Sequence, residues 1–308
     1  MATLKGQNVR ILTYDATAQK LTVFGLATSC TVTLTNNTEN GTTKDDVGLA
    51  DKPETVSRAG SVQVESLNVV DAAAFLTAVR TFKEFTLMWD EVSTTNNQTI
   101  VNDQSSFARK ATAICNDLTL NFNNKEFSAK SVQFQLTSAP EATNQWHPDQ
   151  TVLPAGSKTR GQFVRLLLSS DNTAAPAAVI AGAQQLSLHV TVALESISTK
   201  DTPDSTWDVQ EPTGLSYDIS TTALIRANDV ITSSAPGKTL PDIEAIHEAG
   251  TPVKWKIANA SGDNQRTAGA VIASGSVIVT QLTINAANRQ TATYDAQLTG
   301  YGDYTVGA

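Results

Sequence analysis

Apolar and polar residues alternate along much of this chain with the two-residue period of a pleated strand. The alternation is clearest near the end of the chain. In 275–304, Val277, Val279, Leu282 and Ile284 carry the apolar positions of one strand, with a one-residue change of phase that predicts a bulge. Ala286-Ala287-Asn288 predicts a turn. Thr291, Thr293, Asp295, Gln297 and Thr299 then alternate with Ala292, Tyr294, Ala296 and Leu298 as a second strand with one polar and one half-buried face. The chain contains this plan twice, because 118–138 read the same way and end in Gln135-Leu136-Thr137 where the later stretch ends in Gln297-Leu298-Thr299.

The matching extends backwards in constant order. Gly6-Gln7-Asn8-Val9-Arg10 recurs as Gly161-Gln162-Phe163-Val164-Arg165, Thr43-Lys44-Asp45 as Thr199-Lys200-Asp201, and Trp89 as Trp255. The reading is an internal duplication. One domain spans 1–138, a linker with three prolines spans 139–160, and a second domain spans 161–308. In the first domain, strands are expected over 6–14, 21–34, 61–65 and 85–92, with a helix over 72–81 behind Asp71 and a closing hairpin over 113–138. The second is expected to repeat this at 161–169, 184–194, 215–224 and 253–257, with a helix over 241–249 that carries Pro near its start and Gly250 at its end. Long polar segments, Thr35 to Gly60 and Glu195 to Gly214, read as functional or disordered loops at matching places. The predicted fold class is mainly β: two tandem copies of a β-sandwich or barrel domain, each with one short helix.

Composition narrows the function. Charged residues make up 17% and aromatics 6% of the chain, while Thr, Ser, Asn, Gln and Val abound, which suits half-solvated sheet. The net charge of −8 divides equally between 1–150 and 151–308. An even acidic balance fits a duplication and argues against a basic nucleic-acid footprint. No stretch approaches the ~18 apolar residues of a membrane span. Cys30 and Cys115 have no counterparts in the second half, so two buried free thiols are expected, in keeping with assembly in a reducing cytoplasm.

Catalytic or metal chemistry finds no foothold. His147, His189 and His247 are scattered, and His247-Glu248 lacks a second histidine four residues on. The acidic pairs Asp45-Asp46 and Asp201 with Asp204 lack calcium-loop spacing, and no nucleophile elbow or Cys/His arrangement is present. The expectation is no enzyme, no cofactor and no metal. Trp89 and Trp255 are read as core anchors, with a sugar platform as the competing reading; the latter would make the chain a two-domain carbohydrate-binding or adhesin module.

Two stretches carry a family resemblance. One is Leu282-Thr283-Ile284-Asn285 with Tyr294-Asp295-Ala296-Gln297-Leu298-Thr299-Gly300-Tyr301-Gly302. The other is Thr199-Lys200-Asp201, Trp207-Asp208 and Gly214 through Ile219. In their order they resemble the middle segment and closing hairpin of bacteriophage major tail tube proteins. The first half keeps the pattern more loosely, with no Trp between Lys44-Asp45 and Gly60, and with Ser138 where the family usually has Gly. The resemblance implies a structural virion protein whose subunits form rings stacked into the conduit for genome ejection. A duplicated subunit implies homotrimeric, pseudo-hexameric rings. Implied partners are the chain itself, tail terminator and tail tip or baseplate proteins, the tape measure protein and the passing DNA, with no membrane. The implied location is the virion tail, assembled in the host cytoplasm. The inner tube of a contractile injection system is the alternative within this class. Lys44, Asp45, Asp46, Lys200, Asp201 and Asp204, in the matching long segments, are the candidate contacts between stacked rings.

Overall fold

The computed structural model describes residues 9–15, 20–43, 45, 51–91, 108–142, 151–152, 158–197, 207–225, 237–261 and 267–307. Among them the chain is mainly β, as its alternation predicts, with two α-helices. The first half runs β1 (Val9–Asp15), β2 (Lys20–Val23), β3 (Ala27–Asn40), β4 (Pro53–Ser66), α1 (Ala72–Arg80), β5 (Glu84–Glu91), β6 (Arg109–Asn121), β7 (Ala129–Leu136) and the short β8 (Glu141–Ala142). After β9 (Thr151–Val152) the second half runs β10 (Val164–Leu168), β11 (Ala178–Val179), β12 (Ala183–Ser196), β13 (Gln210–Leu224), α2 (Leu240–Ala249), β14 (Val253–Ser261), β15 (Thr267–Asn285), β16 (Thr293–Gly300) and the short β17 (Thr305–Val306).

The pairings follow one order in both halves. In the first, β3-β4-β7-β6 form a front sheet and β2-β1-β5-β6 a back sheet. In the second, β12-β13-β16-β15 and β11-β10-β14-β15 do the same. The long strands β6 and β15 belong to both sheets of their half, and β8 and β17 pair back onto them. Fine details coincide. A bulge between Ala27 and Ser29 corresponds to one between Ala183 and Gln185, and a bulge between Cys115 and Asp117 to one between Val279 and Gln281. Lys125 and Arg289 hold left-handed turn positions (φ 67° and 62°), 164 residues apart.

This register corrects two matches read from sequence. Trp89 lies opposite Ile11, whereas Trp255 lies opposite Leu168, so the true counterpart of Trp255 is Leu87. Gln297 corresponds to Gln133, not Gln135. Both slips are of two residues, which keep a side chain on the same face of a strand and leave alternation unable to detect them.

The core lies between front and back sheets, with α1 and α2 closing it. Phe75 of α1 stacks on Phe24 at 5.4 Å and lies near Phe85 and Phe134. Corresponding core positions exchange size. The cross-strand pair Gly60–Leu136 becomes Tyr217–Gly300, and Leu87–Ala111 becomes Trp255–Gly275. A Cβ on Gly300 would stand 2.6 Å from the Tyr217 ring, so the glycine is required by packing.

The segment 35–60, read as a loop, is largely a two-stranded arm. β3 continues to Asn40 and β4 begins at Pro53; beyond Gly60 they form a ladder only with each other, with a single bridge from Arg58 to Trp207. Its residues are polar on both faces because both faces are solvated. Threonines and cross-strand bonds such as Asn37 to Ser57 (2.8 Å) hold it in place of apolar alternation. Likewise β12 reaches Ser196 and β13 starts at Gln210, inside the expected second loop. The expected strand at 161–163 is a 3-10 turn. There Gly161 lies so close to the Asn123 backbone that a Cβ would come within 2.3 Å, and its N–H donates to Glu126.

Candidate assembly interface

The two halves are joined edge to edge. β12 pairs antiparallel with β6, with Ser187 opposite Asn121, Leu188 opposite Leu120, His189 opposite Thr119, Val190 opposite Leu118 and Thr191 opposite Asp117. The front sheets thereby fuse into one antiparallel sheet of order β3-β4-β7-β6-β12-β13-β16-β15. On its inner side Leu118, Leu120, Leu188 and Val190 are buried across the junction.

On the open side, the junction carries a small ionic clasp. His189 Nε2 lies 2.7 Å from Asp117 and 3.2 Å from the Thr191 hydroxyl, and Nδ1 lies 3.4 Å from Asp218. Burial opposes charge on His189, but bonding and attraction from Asp117, then Asp218, outweigh it and raise its pKa. Glu65 and Asp295 occupy the same open face, among Gln63, Gln133 and Gln297. Lys130 of β7 points to the other side, where it bonds Asp71 at 2.5 Å and sits 4.2 Å over the Phe75 ring. The open face is therefore acidic and amide-rich.

Away from this face, α1 meets the tail of the second half. Tyr304, buried, donates to the Leu76 carbonyl at 2.7 Å, and Arg80 bonds Asp303 at 2.8 Å. Asp208 donates its N–H to Arg58 on the first-half arm at 2.8 Å, with Trp207 buried beside it.

The outer edges of the fused sheet have no ladder partner among the described residues: β3 pairs only with β4, and β15 beyond Ile278 only with β16. Each edge exposes apolar side chains, Leu34 at 58% and Ile284 at 51%. Sequence reasoning missed them. Their signal was an isolated leucine and isoleucine in Thr-rich strands, which single-strand alternation assigns to the core.

Of the candidate ring contacts, Asp45 is an exposed turn residue; Lys44, Asp46, Lys200, Asp201 and Asp204 lie outside the described residues. Trp89, Trp207 and Trp255 are buried and offer no face to a glycan. Cys30 and Cys115 are free thiols, the first half-buried and the second buried, and burial raises the pKa of both. Among the described residues no group of three or more His, Cys, Asp or Glu could hold a metal ion, and no helix is long and apolar enough to cross a membrane.

No protein-family model matches the chain, and no curated protein matches it. Solved structures do. The tail of an empty gene transfer agent particle with sixfold symmetry is 13% identical, with a TM-score of 0.38 over 49% of this chain and 99% of the other. The virion of a native gene transfer agent particle is 14% identical, with a TM-score of 0.36 over 49% and 99%. The SPP1 tail tube is 13% identical, with a TM-score of 0.32 over 48% and 78%. Each of these likenesses extends over about half of this chain.

Proposed function

We propose that this chain is a duplicated major tail tube subunit: its two halves are two copies of one unit, three chains close into a ring of six units, and stacked rings form the conduit for a genome. The observation that carries this reading is the β6–β12 junction and its unfilled equivalent. β12 corresponds to β3 and β6 to β15, so a chain offers at its two ends the edges that it joins in its middle. Transferring the register places Thr31 opposite Asn285 of the next chain, Val32 opposite Ile284, Thr33 opposite Thr283, Leu34 opposite Leu282 and Thr35 opposite Gln281.

Exposure supports this pairing. Leu34 is 58% exposed where its counterpart Val190 is 0%, and Ile284 is 51% exposed where its counterpart Leu120 is 0%. Closure would bury both and remove the unpaired edges, which invite uncontrolled association. The ring number comes from the tail tube resemblance. In the ring, the acidic, amide-rich open face lines the lumen, where carboxylates repel DNA phosphate and let the genome slide. The terminator, tip and tape measure proteins implied by the resemblance would meet the ends and lumen of this tube, with the β3–β4 arm and the candidate residues Lys44, Asp45, Asp46, Lys200, Asp201 and Asp204 toward the adjoining ring.

Electron microscopy of the purified chain at rising concentration, paired with light-scattering mass, tests the reading. Three-chain rings of sixfold appearance, or tubes built from them, are expected. A chain that stays monomeric at every concentration, or closes into rings of another count, refutes it.

A further inference from the structure

The contact between the halves has an outer level as well as the β6–β12 junction, and there the two helices differ. α1 packs on β6 of its own half and on β12, β15 and β17 of the other, while α2 packs on β15. The helices correspond residue by residue, because Phe82 and Gly250 hold the same left-handed position after the last turn (φ 51° and 61°). The side of α1 that faces its own half carries Phe75 and Ala78; their counterparts Ile243 and Ile246 are buried as well. The side that meets the second half carries Leu76 and Val79, both buried, and Arg80. Their counterparts are Glu244, half-buried, and His247 and Glu248, exposed. Thus α2 keeps the inward side and replaces the outward side with ionisable groups.

We infer that this outward side of α2 is a docking surface for a second copy of the chain, and that it takes the neighbour's Ala139–Ala142 segment and the adjoining start of β6. The inference rests on the ring reading. The occupant follows from correspondence: β17 pairs with β15 at Ala273 and Ser274, and β8 pairs with β6 at Arg109 and Lys110, each 164 residues earlier. The neighbour's Ala139-Pro140 therefore stands where Asp303-Tyr304 stands inside the chain.

The chemistry changes with the partner. Inside the chain a tyrosine caps an apolar helix face, with a helix cation on a tail carboxylate. Between chains, a short Ala-Pro segment leaves room for Glu244 and Glu248 to meet Lys110 on the flanking strand. Glu141, across from Lys110, shares this cation with them. The inversion has a physical reason. A contact that is never open to water can be apolar, whereas a face solvated before assembly would aggregate if it were. Charge keeps α2 soluble and steers association, at the cost of salt sensitivity within a Debye length of about 10 Å at ~0.1 M ionic strength.

The test uses the full chain. The concentration at half-assembly is measured by light scattering in about 50 and about 500 mM NaCl, for wild type, Glu244→Lys/Glu248→Lys, and that variant with Lys110→Glu added. Circular dichroism melting checks the fold. The expected result is assembly weakened by salt in the wild type, weakened about tenfold by the double reversal at low salt, and partly restored by Lys110→Glu, all with unchanged melting. Variants that assemble like wild type at both salts overturn the docking surface, and so does a loss that Lys110→Glu leaves unrepaired. A wild type that forms no rings is a different result: it removes the ring reading, and this inference falls with it.

Discussion

Leu34→Ala is expected to weaken ring closure while leaving the fold intact. Full burial of a leucine side chain is worth about 1.5–3 kcal/mol. Leu34 is 58% exposed in the free chain, so closure against Leu282 of a neighbour has about 1–1.5 kcal/mol left to gain at this site. Alanine gives up most of it. A closed ring of three chains loses this at three seams, and its half-assembly concentration follows the inverse square root of the association constant, so that concentration rises about tenfold to fortyfold. Sedimentation velocity across a concentration series reads this shift. Monomer stability is expected to fall by only about 0.5–1 kcal/mol, the share of that burial the free chain already has. Leu120→Ala, in the junction inside the chain at the place that corresponds to Ile284, should do the opposite. Its side chain is 0% exposed, and its removal should cost about 2–5 kcal/mol of folding stability. Leu34→Ala rings that form at the wild-type concentration would refute the transferred register.

Further outcomes follow from the same geometry. With Cys30 replaced by serine, Thr33→Cys/Thr283→Cys should form interchain disulfides in assembled rings, seen as dimers and trimers on a non-reducing gel, while Thr33→Cys/Asn285→Cys should not; the reverse outcome would mean a slipped register. Gly300→Ala places a Cβ 2.6 Å from the Tyr217 ring and should destabilise the fold by about 1–3 kcal/mol in thermal melts. Tyr304→Phe leaves the Leu76 carbonyl without its buried donor and should cost about 1–3 kcal/mol, read the same way. The raised pKa of His189, above its ordinary 6.5, means the clasp stabilises below that value and fades as pH rises through the folded-state pKa. The stability deficit of Asp117→Asn should therefore be larger in urea titrations at about pH 6 than at about pH 8.5, and an equal deficit at both would dismiss the ionic clasp.

Much of the fold was legible because one face of each strand is buried. The bulge in 277–284, the turn after Asn285 and both helices lie where the sequence pattern puts them; α2 has the capping box of Thr239 and Asp242 ahead of its left-handed Gly250, whereas Asp71 at the start of α1 makes no side-chain cap and bonds Lys130 instead. The β3–β4 arm was not legible, because a strand solvated on both faces has the composition of a loop. The exact correspondence of Trp255 and Gln297 was also hidden, since a two-residue slip preserves the face. The candidate site was the least legible part. His189, Asp117 and Asp218 come from three strands, and nothing in one sequence shows that β12 lies beside β6. The exposed Leu34 and Ile284 look like core residues until the sheet edge is seen.

The differences between corresponding positions all run in one direction. At the junction inside the chain, the open face has His189 against Asp117 and Asp218, the outer level has Tyr304 over Leu76, and Trp207 lies buried beside the first-half arm. In the proposed ring, the corresponding positions between chains are Thr33, Gln281 and Ser61, then Pro140 and Glu244. Two identical units on separate chains would have to use one surface for every contact, and that surface would face water before assembly. A covalent link removes this constraint from half of the contacts. The linked junction forms at the high effective concentration of a single chain and stays closed, so it tolerates apolar plugs and an ionic clasp that fix its register. The other contact must remain soluble when open, and it is built from threonines, amides, carboxylates and two exposed aliphatic residues. On this account the duplication does more than halve the number of parts: it divides one interface into a permanent contact and an assembling one, and it is the assembling one that salt, charge reversal at α2 and truncation of Leu34 should loosen first.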